Sequence, residues 1–261
     1  MKLLITLCLL FISTTNASEL KVKSQIALVF DENNKSSLFD KNSSKIVPIA
    51  SITKLMTAMV IEDSSLSMDE IIPIVEDNPN IKRSKSRLKI NDSFTRYELL
   101  QLALMSSENR AALSLGTNYP GGLESFVIAM NNKAKDLDMK DTKFYEPTGL
   151  DKNNVSTAND LVKMVIAASN YKLIHKFTTT TKHETQTSKK LLTYKNTNPL
   201  VSISNWNIGL SKTGYTKEAG KCLVMQTIIN DNPIVIILLA SKGKTSRITD
   251  AKHVKDWIDF K

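Results

Sequence analysis

The sequence predicts one α/β domain of the α+β type, in which the two ends of the chain meet in a single antiparallel sheet of five strands. Three observations carry this. A strand pair opens the chain after residue 24, three strands precede its last helix, and the stretch between them reads as helical. No internal repeat, low-complexity tract or linker interrupts the 261 residues, which suffice for one sizeable core.

The first seventeen residues read as an export leader. Lys2 precedes the apolar stretch Leu3 to Ile12, and Thr15-Asn16-Ala17 puts small residues at the two positions a signal peptidase reads. The stretch falls short of the roughly 20 apolar residues a bilayer span needs. A buried N-terminal strand is the alternative reading. A lipoprotein anchor at Cys8 is disfavoured because Leu7 stands where a small residue is required. Cleavage after Ala17 leaves residues 18–261 as the mature domain, with no transmembrane segment and with Cys222 as its sole thiol, so no internal disulfide supports the fold. The expected location is the periplasm.

Gln25 to Asp31 and Ser37 to Asp40 flank Glu32-Asn33-Asn34-Lys35 as a hairpin. Helices are expected after Ser51, from Thr95 to Met105, and from Gly122 to about Asp136. Trp206 to Thr213, Lys221 to Ile229 and Pro233 to Ala240 read as successive strands, turned at Asn230-Asp231-Asn232. The last helix, Ile248 to Phe260, places Val254, Trp257 and Ile258 on one stripe. The sequence stops right after it, so no further C-terminal domain is expected.

Net charge is +9, and +8 once Lys2 leaves with the leader. Such a balance raises the question of nucleic acid, which export argues against. The densest basic run, Lys82 to Lys89, alternates as a hairpin strand would, with its cations towards solvent. Its functional reading is attraction to carboxylates of a substrate. His175, His183 and His253 are scattered, and His183-Glu184 lacks a second histidine four residues on, so neither a metal nor any other cofactor is expected. Met56, Met59 and Met105, at helical spacings, read as core filler.

The chemistry lies in three strings in one order: Ser51-Ile52-Thr53-Lys54, Ser107-Glu108-Asn109 and Lys212-Thr213-Gly214. Ser-x-x-Lys alone is weak, since it recurs at Ser18, Ser86, Ser169 and Ser241. Context selects Ser51, because the apolar run Leu55 to Ile61 follows it and sets Lys54 one helical turn on. A serine needs a base to become nucleophilic, and a lysine serves only when burial or a second cation lowers its pKa. Lys212 is the natural second cation.

The three strings, in this order, resemble those of the low-molecular-mass D-alanyl-D-alanine peptidases, a penicillin-binding serine family that trims peptidoglycan. The resemblance extends over Ala50 to Met59, Leu104 to Ala112, Glu146-Pro147-Thr148-Gly149-Leu150, Leu210 to Gly220 and Cys222 to Met225. Asn109-Arg110-Ala111-Ala112, where related carboxypeptidases usually read Asn-Asp-Ala, tips it towards the endopeptidase branch of the penicillin-binding protein 7 type. It implies the layered DD-peptidase/β-lactamase-like fold, with an inserted helical subdomain. It also implies roles. Ser51 attacks the D-alanyl carbonyl, Lys54 takes its proton, and Ser107 relays a proton to the leaving amine. Asn109 holds the substrate backbone, Lys212 and Thr213 serve its carboxylate, and Gly214 lets it lie against the strand. Backbone N–H groups of Ser51 and Tyr215 form the oxyanion hole. Arg247 is a candidate grip for a carboxylate, a solvated arginine being the alternative. Peptidoglycan stem peptides are the implied substrate and β-lactams the covalent inhibitors. A D-alanyl-D-alanine carboxypeptidase, a serine β-lactamase and a non-catalytic wall-binding module remain as alternatives.

Overall fold

The computed structural model describes residues 19–76, 86–90 and 92–260. The expected leader, and residues 82–85 of the basic run, lie outside them. In chain order the elements are β1 (Ile26–Asp31), β2 (Ser36–Lys41), β3 (Val47–Pro48), α1 (Thr53–Asp63), β4 (Ile71–Pro73), β5 (Ser93–Thr95) and α2 (Arg96–Met105). There follow α3 (Asn109–Thr117), α4 (Gly122–Asp136), β6 (Val155–Ser156), α5 (Ala158–Ser169), α6 (Lys172–Thr179), β7 (Lys182–Gln186) and β8 (Leu191–Lys195). β9 (Asn207–Thr216), β10 (Gly220–Ile229), β11 (Asn232–Ser241) and α7 (Ser246–Asp259) close the chain.

The five long strands form one antiparallel sheet in the order β2-β1-β11-β10-β9, so both ends of the chain meet in it. Strand β11 shows why its sequence is apolar without a break. Val235, Ile237 and Leu239 enter the core under the helical middle, while Ile234, Ile236 and Leu238 enter a second core under α7. A strand covered on both faces has no polar side to present. β1 does the same with Ile26 and Leu28 against Ala27 and Val29. The stripe of α7 seals the second core through Val254 and Ile258, with Trp257 packed against it.

Helix α1 runs through the middle of the helical layer, with every residue from Thr53 to Ile61 buried. That explains its lack of a polar face: it packs against α2, α4 and α5. Thr95 caps α2, its hydroxyl accepting from Glu98 N and the Glu98 carboxylate accepting from Thr95 N. Met56, Met59 and Met105 are core residues.

The expected strand over the basic run is not found in its described part. Residues 86–90 are irregular, with Leu88 buried. Arg87 stacks 3.8 Å from the Tyr194 ring centroid and donates to Thr193 O at 2.6 Å. This end of the run is tied to the β7–β8 hairpin by a guanidinium, which suits an aromatic face better than alternation suits a strand.

Candidate active site

The seam between the edge strand β9 and the start of α1 collects the motif residues. Ser51 sits in a turn of 3₁₀ helix, Ala50–Ile52, that leads into α1. Two features force this turn. Ala50 adopts φ +47, and Gly149 adopts φ +81 directly against it. A Cβ on Gly149 would lie 1.9 Å from Ala50 O, so no side chain is tolerated there. Lys54 is one turn on, and its Nζ donates to Ser51 Oγ at 3.1 Å, to Asn109 Oδ1 at 2.6 Å and to Thr148 O at 2.6 Å.

Ser107 and Asn109 arrive from the break between α2 and α3. Ser106 N and Glu108 N both return to Leu102 O, and Ser107 takes the left-handed φ of +62 to make the corner. Asn109 then begins α3. Left-handed backbone at a serine is costly and persists only where its surroundings fix it.

From the opposite wall, β9 contributes Lys212, whose Nζ donates to Ser107 Oγ at 2.9 Å and to Thr213 O at 3.0 Å. Thr213 Oγ1 donates to Thr197 Oγ1 at 2.7 Å. Gly214 is packed so close that a Cβ would stand 3.1 Å from Ser51 N and from Ala50 Cβ. A side chain there would press on the N–H of Ser51. Tyr215 follows, its ring 60% exposed beneath Lys221. β9 is the sheet edge, so its outward backbone groups face the cleft unpaired by any sixth strand.

The electrostatics select between the two causes the sequence left open, burial and a second cation. Burial pushes the Lys54 ammonium down to about 8, while the carboxylates of Glu146 and Glu108 pull the other way. Lys212 falls well below the ordinary lysine range, first through burial and then through Lys54 and Arg247. Lys212 is therefore not what lowers Lys54. The cation pair tells on Lys212, and Lys54 is lowered by losing water. Arg247, the second residue of α7, is half-buried on this side, and its Nε and Nη1 have no hydrogen-bond partner among the described residues.

The sequence reading missed Thr148, whose carbonyl takes a proton of Lys54, and Thr197, which holds Thr213. Glu146 entered the sequence analysis only as part of a family-like string. Both oxygens of its carboxylate are occupied: Oε2 accepts from Thr148 N at 2.6 Å, and Oε1 from Gly149 N at 2.5 Å, Asn154 Nδ2 at 3.1 Å and Asp151 N at 3.4 Å. Among the described residues, no three His, Cys, Asp or Glu side chains gather as a metal-ligand set.

Comparison with known proteins places this geometry. Residues 13–243 match the profile of the D-alanyl-D-alanine carboxypeptidase family. The chain belongs to that family. It is a serine DD-peptidase, similar to the D-alanyl-D-alanine endopeptidase of Escherichia coli, at 44% identity over 95% of this chain and 81% of that one. The D-alanyl-D-alanine endopeptidase of Pseudomonas aeruginosa is 45% identical over 92% of this chain and 78% of its own. Among solved structures, a penicillin-binding protein of Listeria monocytogenes in its cefotaxime-bound form superposes with a TM-score of 0.79 at 28% identity, covering 94% of this chain and 100% of that one. The two proteins thus share their fold.

Proposed function

We propose that this DD-peptidase is an exported endopeptidase that opens D-alanyl cross-links of peptidoglycan through an acyl-enzyme on Ser51. The observation that carries the chemistry is Lys54, a fully buried amine aimed at Ser51 Oγ with no carboxylate in hydrogen-bond contact and a pKa brought down to about 8. A deprotonated Lys54 accepts the Ser51 proton as Oγ attacks the D-alanyl carbonyl. The developing oxyanion meets the N–H groups of Ser51 and Tyr215, donors of a kind worth about 3–4 kcal/mol each. Lys212 already donates to Ser107 Oγ, which leaves the serine's own O–H to protonate the leaving amine. Asn109 has its oxygen on Lys54, so its Nδ2 is the end that meets a substrate carbonyl. Water then releases the acyl group by the same base.

Substrate lies along β9 as an added strand, its close approach allowed by Gly214. Lys212, Thr213 and the unpartnered guanidinium nitrogens of Arg247 form the anion end of the cleft. A D-centre carrying a free carboxylate, terminal or within a cross-link, fits that end. Preference for the cross-link rests on the 44% and 45% identity to endopeptidases, against 32% for a Bacillus subtilis carboxypeptidase. The Glu146 carboxylate is buried and turned into its own loop, onto the N–H groups of Thr148 and Gly149 and the Asn154 amide, which supports a long-lived penicillin adduct over β-lactamase turnover. The intact serine, lysine and cation set argues against a purely wall-binding module. Residues 1–17 as an export leader, and the periplasm as location, agree with a substrate outside the cytoplasmic membrane.

Digestion of purified sacculi, with released muropeptides resolved by mass, tests the substrate. Cross-linked dimers should split to monomers faster than free pentapeptide loses its terminal D-alanine. Loss of D-alanine with dimers untouched would make the enzyme a carboxypeptidase.

A further inference from the structure

Lys54 does not hold its own position. Two of its acceptors are side chains, Ser51 one turn back and Asn109 on α3, but the third, Thr148 O, belongs to the Glu146-Pro147-Thr148-Gly149-Leu150 loop, and that loop is organised around one buried side chain. The Glu146 carboxylate, 2% exposed, gathers the N–H groups of Thr148, Gly149 and Asp151 and the amide of Asn154. Asn154 in turn clamps the Ser51 turn: its carbonyl accepts from Ile49 N at 3.1 Å, and its Nδ2 reaches Thr53 Oγ1 at 3.2 Å and Glu146 O at 2.8 Å. Thr57 Oγ1 on α1 adds a bond to Pro147 O at 2.7 Å. Through these contacts the loop carries Gly149 up against Ala50 O and Thr148 O onto Lys54.

We propose that Glu146 is the positioning residue of the Lys54 base, folding the loop that aims the amine at Ser51 and supplying the negative charge that the amine faces from that side. The proposal rests on Lys54 being the base. The groups facing Lys54 are then Glu146 from the loop, Glu108 from the cap of α3, and Lys212 from β9, with Arg247 on α7 beyond it. Glu146 and Glu108 favour its ammonium form against the burial that disfavours it. Two effects of Glu146 therefore separate by chemistry. Glutamine removes the charge and, with Nε2 at one oxygen site, sets a donor against the Thr148 or Gly149 N–H. Aspartate keeps the charge and falls one methylene short of the loop.

The test is the rate of covalent labelling by a fluorescent penicillin between pH 5 and 10, in folded wild type, Glu146→Gln, Glu146→Asp and Lys54→Arg. Wild type should lose rate as pH falls through about 8. Glu146→Gln should move this acid limb to lower pH by about one unit and cut the alkaline plateau at least about ten-fold. Glu146→Asp should leave the limb in place and cut the plateau by a similar factor. Glutamine or aspartate variants that melt earlier yet label at the wild-type rate per folded molecule would reduce Glu146 to a structural residue and overturn the proposal, as would a glutamine plateau that falls with its limb unmoved. Should the glutamine variant not fold, the aspartate plateau decides. A wild type with no acid limb in the amine range, or a Lys54→Arg enzyme labelling normally, would instead bring down the Lys54 reading on which the proposal stands.

Discussion

Two buried cations in this molecule are handled in opposite ways. Arg96, at the start of α2, is fully buried and ion-paired with Glu70, while its Nε donates to Ser67 O at 3.1 Å. Lys54 is equally buried, and its three acceptors are a hydroxyl, an amide oxygen and a carbonyl. Arg96 joins the Ser67–Glu70 stretch to α2, and a partnered guanidinium that never loses its proton suits that task. As the base proposed for Ser51, Lys54 must give up its charge, so neutral partners and lost hydration are what it needs. Burial alone does not separate the two cations; the bonded carboxylate does.

The largest way to break this comparison is Lys54→Arg. Arginine keeps charge and burial but cannot serve as a base, so penicillin acylation should fall by about 10²–10⁴. A rate near wild type would mean that the site needs only a positive charge. Removing Arg96's partner tests the other side. Glu70→Ala strands a buried guanidinium and should cost about 1–3 kcal/mol in urea unfolding, with the acylation rate of the folded enzyme unchanged. Equal loss of rate would show that the two cations are not separate in function.

The seam was legible in the sequence where side chains do the work, because Ser51, Lys54, Ser107, Asn109, Lys212, Thr213 and Gly214 lie in three ordered strings that the fold brings together. It was not legible where the backbone does the work. Thr148 acts through its carbonyl, and Glu146 through the N–H groups it collects, so neither residue type announces a role. The sequence left two causes open for a lowered Lys54 pKa, because a neighbouring cation is visible in a motif, whereas burial exists only in three dimensions. The sheet was read almost to the residue, since uninterrupted apolar runs such as that of β11 have few other solutions. Helix α5 passed unread although Thr157 caps it by accepting from Asp160 N, a start signal the sequence carries. The β7–β8 hairpin is harder. Apart from Leu191 its outward residues are polar, and along its two strands only Thr185, Leu192 and Tyr194 are buried, which is too sparse a pattern to stand out.

A smaller effect sharpens the contrast between charges kept and charges lost. Glu62, near the end of α1, is raised to about 7, chiefly by burial and slightly by Asp63, against the N–H groups of Leu173 and Ile174. Its folded pKa lies above its unfolded one, so its ionisation costs stability as pH rises from about 4.5 towards 7. Glu62→Gln should flatten that decline in melting temperature between pH 4 and 8 while leaving acylation alone. Half-exposure keeps the gain to under about 1 kcal/mol. A steeper decline in the variant would mean that the Glu62 carboxylate is stabilising.

The central claim is that Ser51, activated by a buried neutral lysine, forms the covalent intermediate. Intact mass of the enzyme after penicillin treatment, followed by peptide mapping, tests it most directly. The account predicts one penicillin added per chain, on the peptide containing Ser51, and none on Ser51→Ala. An adduct on another residue, or undiminished labelling of the alanine variant, would contradict it.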